Sequence, residues 1–231
     1  MSFWQILKQD FTEPMRQDPA CNSVFEIFFC YPGVWALINY RFAHFFYERG
    51  FKLIARAISG LSRIITAVDI NPGARIGRGV FFDHATGLVI GETAIIGDNC
   101  LIYQGVTLGG VSLEHGKRHP TLQNGVVVGA GAKVLGNITI GENSKIGANS
   151  VVVKDIAPNC TAVGVPARIL GSCESDPLAH NKIPDISQEL IKYLIKRIEI
   201  LEDCICSGRK DISAMDEDLN KFYEEYLKSL K

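Results

Sequence analysis

Two short stretches of this sequence carry most of its acid–base chemistry. They are Asp83-His84-Ala-Thr-Gly87 and Arg118-His119-Pro120. A histidine titrates near 6.5, which suits it to take a proton from a hydroxyl at neutral pH. An arginine beside a histidine adds a planar fork that matches a carboxylate, a geometry lysine does not copy. His115 stands close to His119, so His84, His115 and His119 are also enough imidazoles for a three-histidine zinc site. The seven cysteines form no C-x-x-C pair, and buried reduced thiols are expected.

These residues must be positioned by a repeat. Eighteen of the twenty-two glycines lie between Gly73 and Gly171. There, aliphatic residues recur every six positions: Ile70, Ile76, Phe82 and Leu88, then after a two-residue slip Ile90, Ile96, Ile102 and Leu108, and later Val128, Val134, Ile140, Ile146 and Val152. Such a pattern predicts a parallel β-helix, three hexads to a coil, with the aliphatics stacked inward and Gly or Asn at corners of positive φ. The ladder breaks between Leu108 and Val128, which predicts a loop over 109–127 that carries His115 and His119.

Residues 1–68 hold three glycines and the periodic set Ala36, Leu37, Tyr40, Phe42, Phe45 and Phe46, as packed helices would. Beyond Gly171, Ile191, Leu194, Ile198, Leu201 and Ile205 form a helical seam. The expected fold is α+β: a helical domain 1–68, a β-helix 69–171, and a linker with C-terminal helices 172–231. A formal charge of -1 and a pI of about 6.5 exclude a global pull toward nucleic acid or anionic lipid. The most apolar stretch, Phe25 to Tyr40, is interrupted by Glu26, Pro32 and Gly33, short of the roughly 20 clean residues of a membrane span. Met1 to Asp10 has no secretory pattern, so a cytoplasmic location is expected.

Asp69-Ile-Asn-Pro72, Asp83-His84-Ala-Thr-Gly87, Gly91-Glu92-Thr93, Gly105-Val-Thr-Leu-Gly-Gly110 and Arg118-His119-Pro120, in that order, resemble the serine O-acetyltransferases. Asp18-Pro19-Ala20 and Gly164-Val-Pro-Ala-Arg168 extend the likeness over about residues 15–170. The resemblance implies a left-handed β-helix, although parallel β crossovers are right-handed in about 98% of cases. It implies transfer of an acetyl group from acetyl-CoA to L-serine, the first step in making cysteine from serine, with no permanently bound cofactor and no metal. It further implies His84 as general base with Asp69 holding it, and His119 as a helper from a neighbouring subunit. Arg118 would take the serine carboxylate, Asp18 and Asp83 the serine ammonium. Gly110, Ala130, Ala148 and Lys145 would line the CoA path.

The implied assembly is a homotrimer, or a dimer of trimers with active sites between subunits; the short helical region favours the plain trimer. The chain ends Tyr226-Leu-Lys-Ser-Leu-Lys231, without the terminal isoleucine by which some relatives dock on cysteine synthase, so that complex is not expected. Asn71 stands where the family often has histidine. Two alternatives share the scaffold: an acetyltransferase acting on another hydroxyl acceptor, and a γ-type zinc carbonic anhydrase.

Overall fold

The computed structural model describes residues 2–170 and four positions further on, 194, 195, 197 and 198. Four helices come first: α1 (Phe3–Gln17), α2 (Val24–Cys30), α3 (Pro32–Glu48) and α4 (Lys52–Thr66). Their starts follow local chemistry. Ser2 and Gln5 cap α1 reciprocally, and the Ser23 hydroxyl accepts from the Glu26 N–H at the start of α2. Pro32 opens α3, where its missing N–H costs nothing.

Short strands follow: β1 (Asp69–Ile70), β2 (Arg75–Ile76), β3 (Phe81–Asp83), β4 (Val89–Ile90), β5 (Ile95–Ile96), β6 (Leu101–Tyr103), β7 (Thr107–Gly109), β8 (Thr121–Leu122), β9 (Val127–Val128), β10 (Lys133–Leu135), β11 (Thr139–Ile140), β12 (Lys145–Ile146), β13 (Val151–Val152), β14 (Thr161–Gly164) and β15 (Ala167–Leu170). They stack as three sheets, β1-β4-β7-β10-β13, β2-β5-β8-β11 and β3-β6-β9-β12-β14-β15, parallel throughout except for the final hairpin β14–β15. This is a parallel β-helix of five coils.

The predicted ladder is its interior. Ile70, Ile90, Leu108, Val134 and Val152 align rung on rung, as do Ile76, Ile96, Leu122 and Ile140, and Phe82, Ile102, Val128, Ile146 and Ala162. All are buried, each full burial of a Val, Leu, Ile or Phe side chain stabilising by about 1.5–3 kcal/mol. Asn99, Asn143, Asn149 and Asn159 take the left-handed corner conformation, as the pattern predicts.

The coils depart from the expected ladder at one place. The excursion from the coils is shorter than 109–127, because β8 returns at Thr121 and Leu122 fills an interior rung. The periodicity missed it because Leu122 is out of phase with the hexads counted from Leu108. The two-residue slip also has a place: the corner after β3 holds two extra residues, and His84 and Ala85 both sit at positive φ (56° and 60°).

Helices and coils share one core, which joins Ala36, Leu37 and Tyr40 of α3 to Val68, Ile70 and the rungs beyond. Met1–Asp176 accordingly forms one compact unit and Pro177–Lys231 another. Three bonds fix the junction. The Tyr40 hydroxyl donates to the Ala74 carbonyl (2.7 Å), and Arg41 donates to the carbonyls of Ile76 and Gly77 (2.6 Å each) while pairing with buried Asp10 (2.8 Å). Burial raises the Asp10 carboxyl above its ordinary range, and Arg41 opposes that shift.

Helix α4 is turned inside out. Ala55, Ser59, Ser62 and Thr66 face inward, while Leu53, Ile54, Leu61, Ile64 and Ile65 are exposed. The periodic set of α3 is likewise split, with Ala36, Leu37 and Tyr40 buried and Phe42 and Phe45 exposed. Among the described residues, Cys21, Cys30 and Cys100 are free thiols, whereas Cys160 is disulfide-bonded, against the expectation of reduced cysteines. No helix among them is long and apolar enough to cross a membrane. Of the C-terminal seam, Leu194 and Ile198 are helical and about half exposed; Ile191, Leu201 and Ile205 lie outside the described residues.

Arg41→Ala strands Asp10 in the core without its cation. It should lower the unfolding free energy by about 3–5 kcal/mol, the loss typical of a broken buried pair, read from urea denaturation. A loss of about 0–1 kcal/mol, as for an exposed pair, would show that the junction does not depend on it.

Candidate active site

The enlarged corner after β3 opens a pocket of about 380 Å³, lined by Asp18, Ala20, Tyr31, Gly33, Asp83 and His84 among others. Gly33, near the start of α3, makes this corner possible. A Cβ there would fall 2.3 Å from the Phe82 carbonyl oxygen and 3.0 Å from the Ala85 Cβ, so only glycine lets α3 brace the chain around His84.

Three predicted residues meet in this pocket. The His84 ring is 75% exposed, with Nε2 3.9 Å from Asp83 Oδ1. Asp18, in the turn after α1, accepts from the Tyr31 hydroxyl (2.5 Å) and the Ala20 N–H (2.8 Å). Those bonds hold its carboxyl below the ordinary value, Tyr31 contributing most. Asp83 moves the other way: burial raises it, the nearby Asp18 charge adds to that, and His84 opposes. The site thus contains one firmly ionised carboxylate and one that gives up its charge more readily.

A second cluster lies at the other edge of the β1-β4-β7-β10-β13 sheet. His119, 8% exposed, packs against Gly91, where a Cβ would come within 1.9 Å of its Cδ2. Its Nδ1 faces the Thr93 N–H (3.2 Å) and the Thr93 hydroxyl (2.9 Å). The same hydroxyl accepts from the backbone N–H groups of Arg118 (3.0 Å) and His119 (3.1 Å). Arg118 pairs with Glu92 (2.6 Å), which also accepts from Tyr47 (3.3 Å). That pairing holds the Glu92 carboxyl below its ordinary range. Gly110 sits against this cluster, 3.3 Å from His119 Nε2 measured to an added Cβ. Behind it lies a cavity of about 390 Å³ lined by Tyr47, Arg75, Glu92, Thr93 and Lys117.

Ala130 and Ala148 share the corner edge that His84 heads. Successive coils there are joined by Gly105 N–H to Thr86 O (2.9 Å), Gly131 N–H to Gln104 O (2.8 Å) and Asn149 N–H to Ala130 O (2.8 Å), so Thr86, Gln104, Ala130 and Ala148 form one column. Small side chains at its lower end leave backbone accessible. Lys145 lies elsewhere, 7% exposed on β12. Asp69 is on the coil beside the His84 corner, tied by Gly87 N–H to Ala67 O (2.8 Å), but its carboxylate pairs with Arg63 (3.2 Å) and not with His84. No group of three or more metal-ligating side chains gathers among the described residues.

Sequence reasoning gave no role to Tyr31, Glu92 or Thr93. Glu92 and Thr93 stood inside the motif cluster, which was a usable signal. Nothing in the sequence marks Tyr31, whose partner lies thirteen residues away across a helix.

Residues 119–154 match the family described as bacterial transferase hexapeptide (six repeats). The chain is 54% identical over 202 residues to the serine acetyltransferase of Synechococcus elongatus, covering 87% of this chain and 83% of that one. Its fold is similar to the Neisseria gonorrhoeae serine acetyltransferase solved in complex with serine, with TM-score 0.70 and 43% identity over 73% of this chain and 69% of that one. It is also similar to the Brucella abortus serine acetyltransferase solved with coenzyme A, with TM-score 0.70 and 44% identity over 74% and 68%.

Tyr31→Phe removes the stronger of the two bonds to Asp18. The Asp18 carboxyl should then titrate higher, toward the ordinary value of about 3.9, in a carboxyl-detected NMR titration. An unmoved midpoint would show that Tyr31 does not set this charge.

Proposed function

Since the chain belongs to the serine acetyltransferase family, we propose that it moves the acetyl group of acetyl-CoA to the hydroxyl of L-serine, giving O-acetyl-L-serine and CoA. The observation that carries this reading is the meeting of Asp18, Asp83 and His84 in one pocket. Two carboxylates suit the ammonium of an amino acid, and an exposed imidazole beside them suits its hydroxyl.

In this mechanism His84 takes the hydroxyl proton as the serine oxygen attacks the thioester carbon. The tetrahedral intermediate collapses, the C–S bond breaks, and the proton passes from His84 to the departing CoA sulfur. A positioned base of this kind contributes roughly 10²- to 10⁴-fold. Asp69, one coil away, supports the imidazolium once its carboxylate turns from Arg63. Arg118, braced by Glu92, receives the serine carboxylate. The pantetheine follows Ala130 and Ala148 away from His84, with Gly110 flanking it at the other edge. Lys145 is the weakest member of the set, because its burial on β12 leaves little of it for a CoA phosphate.

His84 and the Arg118–His119 pair occupy opposite edges of one sheet, so a site that uses both needs a neighbouring copy to bring the second set. A homotrimer supplies that arrangement. The apolar face of α4 supports association between copies, since a helix with Leu53, Leu61, Ile64 and Ile65 toward water gains by burying them. L-serine and acetyl-CoA are the proposed ligands, with the cytoplasm as the proposed location.

Release of free CoA from acetyl-CoA, measured with and without L-serine, tests the reading; turnover that ignores serine would overturn it. His84→Ala should lower kcat by at least about 10²-fold and leave CoA binding nearly intact, because the base acts in the transition state. Normal turnover in that variant would remove His84 from the mechanism.

A further inference from the structure

We propose that Thr93 fixes His119 as a neutral imidazole with its proton on Nε2, so that His119 serves the reaction as a hydrogen-bond donor and not as a base. The inference rests on the acetyl-transfer reading above for what is donated to, but its first part stands on geometry alone.

A backbone N–H can only donate, and the Thr93 N–H lies 3.2 Å from His119 Nδ1. Nδ1 must therefore present a lone pair. The Thr93 hydroxyl reinforces this. Its oxygen accepts from the N–H groups of Arg118 (3.0 Å) and His119 (3.1 Å), which occupies both lone pairs. Its single proton is left to point at Nδ1, 2.9 Å away. A proton on Nδ1 would face two donors and no acceptor, so the neutral ring carries its proton on Nε2. Protonation to the imidazolium would break both bonds.

The charged groups around the ring act in the same direction. Arg118 adjoins it, and the Lys117 ammonium donates to the His119 carbonyl; Glu92 is the one opposing charge among the described neighbours. Burial, then Arg118 and Lys117, hold the imidazole below its ordinary value. The ring packs its Nε2–Cδ2 edge against Gly91 and beside Gly110, two residues without side chains.

In acetyl transfer, the group that needs a donor is the thioester oxygen as it becomes an oxyanion. A neutral imidazole N–H held in place can stabilise it without giving up its proton, a contribution of about 10²- to 10³-fold for one such donor. Thr93 is then a positioning residue, acting through His119. This divides the two histidines: His84 moves the proton and His119 holds the charge.

The test begins with ¹⁵N-imidazole-labelled protein without substrate, with His119 assigned from the signal lost in His119→Ala. The expected spectrum shows Nε2 protonated and Nδ1 bare at pH 7. An Nδ1–H tautomer, or an imidazolium at that pH, overturns the proposal. Thr93→Ser should preserve both the tautomer and the turnover. Thr93→Val should raise the His119 titration midpoint and lower kcat by about tenfold or more, since a misplacement of about 1 Å can cost up to about 10²-fold. Val behaving as Ser in both respects would exclude Thr93. His119→Gln places an amide donor near the Nε2 position and should keep more turnover than His119→Ala; equal loss in the two would overturn the donor role. Because the tautomer is read without substrate, a protein that shows it but lacks serine-dependent turnover would refute the acetyl-transfer reading and still support the fixed tautomer.

Discussion

A parallel β-helix keeps its register only where each coil sends aliphatic side chains to the same interior lines. Here Ile70, Ile90, Leu108, Val134 and Val152 hold one such line, at 0–4% exposure. Because every rung is locked to the next by close packing, every corner is locked too. A corner residue gains an address along the column, and the column in turn becomes an edge that a long, narrow ligand can follow. Chemistry enters where the count departs from six. The two residues added at His84 and Ala85 enlarge the corner, and Ala85 turns its methyl into the core, where Gly33 of α3 meets it.

The helical layer is therefore part of the site and not a cover over it. It braces the enlarged corner through Gly33 and delivers Asp18 from the turn after α1. That delivery needs α1 and α3 to hold a fixed position on the first coil. The Arg41 guanidinium provides it by pairing with Asp10 of α1 while donating to two carbonyls of the β2 edge. Burying charge is costly unless all its hydrogen bonds are made, and here the satisfied cation is what joins helix to helix and both to the coil.

Much of this was legible. A period of six with Gly at corners describes a single kind of scaffold, and the rungs fall where the spacing places them. The slip between Leu88 and Ile90 was visible as a count, but its meaning as an enlarged corner that lines a pocket needed coordinates, because a two-residue phase change says nothing about what packs there. Leu122 was hidden by the excursion before it. The inside-out α4 also eluded periodicity, which locates an apolar face without saying whether the same chain covers it. The hand of the coil came from resemblance, since a hexad pattern reads the same in either hand. Asp18, Asp83, His84, Arg118 and His119 were singled out from motifs, through the family resemblance. Tyr31 and Thr93 were not assigned, because a residue that acts by bonding to a functional group shows its value only in three dimensions. Thr93 in particular is one corner away from His119 in space and twenty-six residues away in sequence.

The two carboxylates of the pocket explain why, on the proposed reading, the acceptor should be an amino acid and not a simple alcohol. Tyr31 and Ala20 hold the Asp18 carboxyl below its ordinary value, whereas burial raises that of Asp83, with His84 opposing and Asp18 adding to the rise. An arriving ammonium supplies positive charge that relieves the repulsion between the two carboxylates. A neutral alcohol supplies none and leaves the repulsion between them unrelieved. On that reading Asp83, 3.9 Å from the His84 imidazole, both recognises the amine and stabilises the charge formed when the hydroxyl reacts. Binding energy from the amino group is thereby spent at the reacting oxygen, where it lowers the barrier.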